Sequence, residues 1–287
     1  MVRAIDARAL FVVGIGKNVG KTVTAAAVYA AAYAAGIRVA MISIGRDGEA
    51  TDAGDARPKP RLFLRPGTTI ATARDVLPRS PAVEMLDLSP LQTAAGPLVY
   101  ARVAHAAYYE LVGPPTAAGV RAALEVLRAH ADLTIVDGAI DRVAALAGGD
   151  GAIVVAGGAS AGGTMQETVD AMRALATRLT VPRYDLQRDS IRIDGALTAA
   201  RAAALIGARE SRQIVVRDPT QIALTGKAAS HAFERLQIRC ERPLRVMAAS
   251  VASIGRERTF EPRAFARAVA DATGLPTFDA YAGELSA

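Results

Sequence analysis

The sequence lacks residues on which several functional classes depend. Cys240 is the only cysteine, so the chain can form neither an internal disulfide nor a cysteine-based metal site. The three histidines, at positions 105, 130 and 231, do not have the spacing of a metal-binding set. Tryptophan is absent, aromatic residues make up 5% of the chain, and basic residues form no run of five. Because the chain has neither clusters of basic residues nor aromatic residues interleaved with them, nucleic-acid binding is not expected.

The charge and the hydropathy pattern limit the expected partners and location. The formal net charge is +6 and the sequence pI is about 9.8, with arginines spread along the whole chain. A compositional preference for alanine and arginine explains this charge, and a polyanionic partner is the alternative. Residues 1–8 carry charges of both signs, and no window of ~18 apolar residues has spanning character. We therefore expect a cytoplasmic, soluble protein without a secretory signal or a membrane partner.

A glycine-rich loop lies between an apolar run and a helical pattern. Residues 9–13 are apolar, residues 14–22 have the sequence GIGKNVGKT, and residues 23–35 are rich in alanine. A strand, a glycine-rich loop ending in Gly-Lys-Thr and a helix form the context of a P-loop. Backbone N–H groups of such a loop surround a phosphate, and the helix N-terminus adds partial positive charge. We expect ATP to bind at Gly14, Gly16, Lys17, Asn18, Val19, Gly20, Lys21, Thr22 and Val23.

Two residues of this loop have expected chemical roles. Lys21 would act in catalysis by neutralising the β- and γ-phosphates, and the Thr22 hydroxyl would ligate Mg²⁺. The loop is one residue longer than a strict Walker A sequence, because its first glycine is Gly14 and Ile15 stands at the usual glycine position. The alternative interpretation is a glycine-rich turn that contains Lys-Thr by chance.

Acidic residues follow two further apolar runs. Residues 38–44 predict a strand that is buried on both faces, and an acidic loop follows at 45–52. Asp47 and Glu49 would hold Mg²⁺ or its waters, or orient an attacking water, although a polar turn is the alternative. The run LTIVDG at 133–138 has the form of a Walker B element, so Asp137 is expected in the Mg²⁺ shell.

Four more charged residues are candidates for a substrate pocket. Asp141 and Arg142 follow the expected Walker B aspartate by a few positions. Arg102 and Glu110 come from the segment between the two acidic loops. If the chain acts on a small substrate, as a ligase or kinase does, we expect these four side chains to line the substrate pocket.

The element pattern predicts an α/β fold. Buried-type strands alternate with helical segments, so the expected architecture is a mostly parallel central sheet flanked by helices, in the Rossmann-like three-layer form of a P-loop NTPase. We expect one domain over residues 1–287, with an excursion at about 50–115. Within the excursion we expect a short helix over 68–76 and turn-rich structure over 80–97. A loop at 250–255 is expected to hold a nucleotide base or a substrate.

The glycine-rich loop resembles that of dethiobiotin synthetase, which has the same extra residue. Gly14, Val19, Gly20, Lys21 and Thr22 match that pattern, whereas residues 15–17 depart from it. The glycine at position 16 replaces the aspartate of that enzyme. The same position holds the signature lysine in the related partition and nitrogenase-iron-protein ATPases. The resemblance implies ATP and Mg²⁺ as cofactors, and by analogy with the wider group it implies a homodimer across the nucleotide.

A longer resemblance covers most of residues 9–165. The segments that carry it are 16–22, 45–49, 59–61, 110–114 and 136–142. They are similar to the small reactivase-type subunit linked to lysine 5,6-aminomutase and ornithine aminomutase, which are adenosylcobalamin enzymes. This resemblance implies a nucleotide-dependent accessory factor that works with a larger ATPase subunit and a cobalamin-dependent mutase.

Three functions remain open from the sequence. The first is an ATPase that drives a conformational cycle in a protein partner. The second is an ATP-dependent ligase or kinase that acts on a small carboxylate or amine, as dethiobiotin synthetase does. The third is a nucleotide-binding scaffold without turnover. A ligase should be stimulated by one small molecule, and a partner-driven ATPase by a protein.

Overall fold

The fold is described by a computed structural model that covers residues 7–45, 61–78, 81–139, 151–161, 163–255, 257–281 and 285–286. Its helices are α1 Lys21–Ala34, α2 Ala117–Leu127, α3 Met165–Leu179, α4 Ala199–Gly207, α5 Gly226–Arg235 and α6 Pro262–Thr273. Its strands are β1 Ala9–Gly14, β2 Val39–Ser43, β3 Leu62–Leu64, β4 Thr69–Ala73, β5 Val83–Thr93, β6 Gly96–Val103, β7 Ala107–Tyr109, β8 Leu133–Ala139, β9 Gly151–Gly158, β10 Ser190–Arg192, β11 Leu197–Thr198, β12 Gln213–Val216, β13 Ile222–Ala223, β14 Gln237–Cys240, β15 Arg245–Ala252, β16 Thr277–Asp279 and β17 Leu285–Ser286.

A ten-stranded sheet organises the chain, in the order β17-β16-β15-β9-β1-β8-β2-β4-β6-β5. The neighbours from β16 to β4 are parallel, whereas β17, β6 and β5 pair antiparallel at the two ends. The expectation of an α/β fold with a mostly parallel central sheet is therefore confirmed. The carboxyl ends of the parallel strands meet at one edge, which we call the carboxyl edge, and ligands of such sheets bind there.

Helices cover both faces of the large sheet. The apolar residues of α1 belong to the core on one face, and those of α2, α3 and α6 belong to the core on the other. Strands β1, β2 and β4 are buried at every position, which explains why their sequences are continuous apolar or small-residue runs without alternation. The result is the expected three-layer arrangement of helices, sheet and helices.

A smaller parallel sheet lies between α3 and β15 in the sequence. Its strand order is β10-β12-β14, and the short strands β11 and β13 pair beside it. Together with α4 and α5 these strands enclose their own apolar cluster, which includes Val181, Ile214, Ile238 and Cys240. None of the helices in the described part of the chain combines the length and the apolar character needed to span a bilayer.

The segment expected to be an excursion contributes to the large sheet. Of the helix expected over 68–76, only Arg74–Val76 is helical, as a single 3-10 turn. Thr69–Ala73 forms strand β4 instead, because all five residues are buried, with Ile70 in the core on one face and Ala71 in the core on the other. The turn-rich prediction for 80–97 was also wrong, since 11 of these residues form strand β5. β5 lies at the end of the sheet, contains Pro90 and has two register shifts in its pairing with β6.

The capping of α3 follows its sequence closely. The Thr164 side chain accepts a hydrogen bond from the Glu167 N–H, and the Glu167 carboxylate accepts one from the Thr164 N–H, at 2.7 Å. This capping box satisfies backbone donors that the first turn of a helix leaves open. It fixes the start of α3 at the carboxyl edge.

Candidate functional site

The glycine-rich loop connects β1 to α1 at the carboxyl edge. Gly20 has a φ of 89° and precedes the first residue of the helix. A Cβ built on Gly20 would lie 2.4 Å from Ala252 Cβ, at the end of β15. Position 20 therefore requires glycine both for its backbone conformation and for its close approach to β15. The 14-residue helix α1 begins directly after this turn, which follows the carboxyl end of β1.

Lys21 folds back over this loop. Its Nζ donates a hydrogen bond to the Gly16 carbonyl oxygen at 2.5 Å, and the side chain is half-buried. The ammonium group is thus held at the centre of a loop that ends at a helix N-terminus. A positive charge, a helix dipole and a tight backbone turn together form a site for an anion.

Thr22 and Asp137 meet beside the loop. The Thr22 hydroxyl donates a hydrogen bond to Asp137 Oδ2 at 2.8 Å. Asp137 lies near the end of β8, the neighbour of β1, and only 9% of the residue is exposed. Mg²⁺ binds oxygen ligands such as a hydroxyl and a carboxylate, and Thr22 and Asp137 offer both at the end of the glycine-rich loop. The donor set therefore fits a magnesium ion, which these two residues would hold.

Glu110 lies at the same edge, farther along the sheet. The Glu110 carbonyl accepts a hydrogen bond from the Thr72 hydroxyl at 3.1 Å, and Val112 N–H donates to the same hydroxyl at 2.9 Å. The Ser43 hydroxyl donates to Leu111 O at 2.8 Å. Residues 110–113 therefore cross the carboxyl ends of β4 and β2, and the partly exposed Glu110 side chain belongs to this edge.

Arg102 does not belong to this edge. It pairs with Thr69 at the first position of β4, because β6 runs antiparallel to β4. Its guanidinium instead forms an ion pair with Glu84, at 3.3 Å. The antiparallel direction of β6 thus separates Arg102 from the loop by the length of β4, which the apolar pattern of the sequence could not show. Among the other candidates, Asp47, Glu49, Asp141 and Arg142 lie outside the described residues and stay predictions.

Two polar residues at the carboxyl edge were missed or only partly anticipated. Ser253 follows β15 within the loop that the sequence predicts for a base or substrate, and it is 1% exposed. Asp279 ends β16 and is 3% exposed. The signal for Asp279 was weak, because it ends the strand Thr-Phe-Asp, in which Phe278 alone is apolar. A longer, mostly apolar run, by contrast, precedes Asp137 in the sequence.

Comparisons of the chain with protein-family models, with curated proteins and with solved structures find no match. The two family resemblances therefore rest on the quoted segments. Parts of those segments, including residues 46–49 and 140–142, lie outside the described residues. The functional proposal consequently depends on the geometry around Lys21, Thr22 and Asp137.

Proposed function

We propose that the chain is a P-loop NTPase that binds ATP with Mg²⁺ at residues 14–22 and hydrolyses it. The observation that supports this most directly is the 2.8 Å contact between Thr22 and Asp137, formed between the first turn of α1 and the adjacent strand β8. A glycine-rich loop alone is a weak indicator. When the threonine hydroxyl that ends the loop also contacts a carboxylate on the neighbouring strand, the phosphate site and the metal site of a P-loop NTPase are both accounted for.

The proposed phosphate site uses the backbone and one side chain. N–H groups of residues 16–22 surround the β-phosphate, and the N-terminus of α1 adds its partial charge. Lys21 Nζ exchanges its contact with Gly16 O for the β- and γ-phosphate oxygens, where it neutralises the charge that develops during transfer. A side chain already held over the loop needs little rearrangement to do so.

The proposed metal site uses Thr22 and Asp137. Bound Mg²⁺ would neutralise part of the phosphate charge and so make the terminal phosphorus easier to attack. The Thr22 hydroxyl would contribute an oxygen ligand, and the buried Asp137 carboxylate would bind the ion or its waters. Asp47 and Glu49 are proposed to orient the attacking water from the loop that follows β2, and Asp47 is a further candidate for the metal shell.

The hydrolysis is proposed to serve a protein partner. From the resemblance, the partners would be a larger ATPase subunit and a cobalamin-dependent mutase, for which the chain would be an accessory, reactivase-like factor in the cytoplasm. Homodimerisation across the nucleotide belongs to the same proposal. The sequence contains no basic cluster that would favour nucleic acid instead.

A second candidate function is supported by the placement of Glu110. Residues 110–113 cross the ends of β2 and β4, which lie on the side of β8 away from β1 and the glycine-rich loop. A carboxylate there suits a small substrate with an amine, together with Asp141 and Arg142. In that case the chain would be an ATP-dependent ligase or kinase of the dethiobiotin-synthetase type.

The experiment that tests the proposal measures ATP binding by calorimetry with and without Mg²⁺, and phosphate release by the same protein. Magnesium-dependent binding with slow release is expected. Stimulation by a protein fraction that contains an aminomutase would support the accessory role, whereas stimulation by a small carboxylate or amine would support the ligase. Binding without release under every condition would indicate a scaffold, and absence of binding would disprove the proposal.

A further inference from the structure

Two buried polar atoms lie at the carboxyl edge, on the side of the loop away from Asp137. They are Ser253 Oγ and Asp279 Oδ2, in residues that are 1% and 3% exposed. Within the described ranges neither atom has a hydrogen-bond partner. Because a buried polar group without a partner destabilises a fold, two such groups together indicate a ligand that supplies the missing bonds.

The two atoms lie close to the proposed phosphate site. Ala252, the residue before Ser253, contacts the loop at Gly20. Asp279 is brought beside the end of β15, because it pairs with Val251 and the Ala280 N–H donates to Val251 O at 2.8 Å. β15 and β16 are the second and third strands from β1, which corresponds to about 10 and about 14 Å across the sheet. A nucleoside extends from its phosphates over a distance of this kind.

Tyr281 spans the gap between the two strand ends. Its N–H donates to Asp279 Oδ1 at 2.8 Å, and its hydroxyl donates to Ile254 O at 3.2 Å. The Tyr281 and Ile254 side chains are 48% and 52% exposed, so an aromatic ring and an aliphatic group form an apolar surface here. Bases stack on such rings. A base can reach the buried Ser253 Oγ and Asp279 Oδ2 only if the segment around them rearranges, and the hydrogen bond between Tyr281 and Ile254 joins the two strand ends at this place.

We propose that Asp279 is the residue that selects the nucleobase, by accepting a hydrogen bond from an amino group. Tyr281 N–H occupies Oδ1, so Oδ2 is the atom available to a ligand, and a carboxylate oxygen can only accept. The ligand must therefore offer a donor, as the 6-amino group of adenine does. Ser253 donates to a ring nitrogen, and Tyr281 stacks on the base. This inference rests on the proposed nucleotide-binding function and adds its base specificity.

The test compares ATP with purine riboside triphosphate, which differs by the missing 6-amino group. Calorimetry of the full chain with Mg²⁺ should show ATP binding about tenfold tighter, since the amine satisfies a buried acceptor. Asp279→Asn keeps the oxygen that bonds Tyr281 N–H and replaces Oδ2 by an NH₂ donor. That variant should bind the two nucleotides within about twofold of each other. Asp218→Asn, a change at an equally buried carboxylate beside the small sheet, should keep the tenfold preference.

Two further measurements keep the outcomes distinct. Ser253→Ala should weaken ATP several-fold and leave inorganic triphosphate binding unchanged, and it serves as the test if Asp279→Asn fails to fold. A wild-type protein that binds triphosphate but does not prefer ATP would overturn the base selection and leave the loop proposal intact. A retained preference in Asp279→Asn would overturn it equally. If neither triphosphate nor ATP binds, the phosphate site itself is wrong and the base selection falls with it.

Discussion

Thr22 and Asp137 are 115 positions apart in the chain and share a hydrogen bond of 2.8 Å. The contact exists because β8 inserts between β1 and β2, so that its end lies next to the first turn of α1. This strand order places the glycine-rich loop after β1 next to the aspartate near the end of β8. Thr22 and Asp137 form the centre of the proposed metal site, and substitutions at and around them test the phosphate and metal roles separately.

Replacement of Lys21 tests the phosphate site. Lys21→Ala removes the ammonium group held over the loop, so Mg²⁺ and ATP should no longer raise the melting temperature of the protein. Lys227→Ala, a change at an exposed lysine in α5, should leave the stabilisation as in the wild type. Differential scanning fluorimetry with increasing ATP provides the measurement. Equal stabilisation of Lys21→Ala and wild type would contradict the P-loop assignment.

The metal role of Asp137 predicts a change in magnesium dependence. Asp137→Asn keeps an oxygen that can accept from Thr22 but removes the negative charge next to the ion. The Mg²⁺ concentration needed for half-maximal ATP binding should rise about tenfold or more, a loss of about 1.4 kcal/mol. Circular dichroism should show an unchanged fold. A wild-type magnesium titration in this variant would mean that Asp137 does not contribute to the ion.

Gly20 should tolerate a side chain poorly. In Gly20→Ala, alanine would have to adopt a φ of 89°, and its Cβ would lie 2.4 Å from Ala252 Cβ. The free energy of unfolding should fall by about 2–5 kcal/mol, from backbone strain and overpacking together. The matched control is Gly36→Ala, where φ is 75° and no atom lies within 4 Å, so about 1–2 kcal/mol is expected. Urea unfolding measures both, and equal losses would argue against the contact with β15.

The Cys240 thiol should be unreactive in the native protein. Burial is the main cause that raises the pKa of Cys240 from its ordinary value near 9 to about 11, and the nearby Asp218 charge adds to it. At pH 8 the native protein should react with a thiol reagent on the order of 100-fold more slowly than the unfolded chain, because only the thiolate reacts. Reaction of the native protein at the unfolded rate would contradict this.

The same pKa shift has a defined sign in stability. The thiol pKa is higher in the native state than in the unfolded chain, so the native state is favoured while the thiol is protonated. This stabilising contribution is lost as the pH rises from about 9, the unfolded value, to about 11, the native value. Cys240→Ala should therefore show a weaker fall in the free energy of unfolding over that range than the wild type.

The central elements of the site could be predicted because their patterns are local. The apolar run of β1, the glycine-rich loop and the apolar run before Asp137 each identify a buried strand or a turn without knowledge of the rest of the chain. The parallel order follows from the alternation of strands and helices. These rules place Lys21, Thr22 and Asp137 at one edge of a sheet.

The remaining elements depend on pairing that a single sequence does not show. β5 alternates imperfectly and contains Pro90, so its sequence resembles a series of turns. Arg102 was expected near the phosphates. Because β6 pairs antiparallel with β4, Arg102 lies opposite Thr69, at the end of β4 that is away from the carboxyl edge. The sequence does not show in which direction β6 pairs. Thr69–Ala73 could begin a helix by its threonine cap, and burial against two cores selects the strand instead.

The end of the sheet formed by β5 has a consequence for assembly. Two register shifts interrupt its pairing with β6 and so distort the strand itself, and Pro90 has no N–H to offer to a further strand. An incoming strand would find few consecutive partners there. We therefore expect a second copy that approaches the β5 end of the sheet to dock through side chains and not by adding a strand.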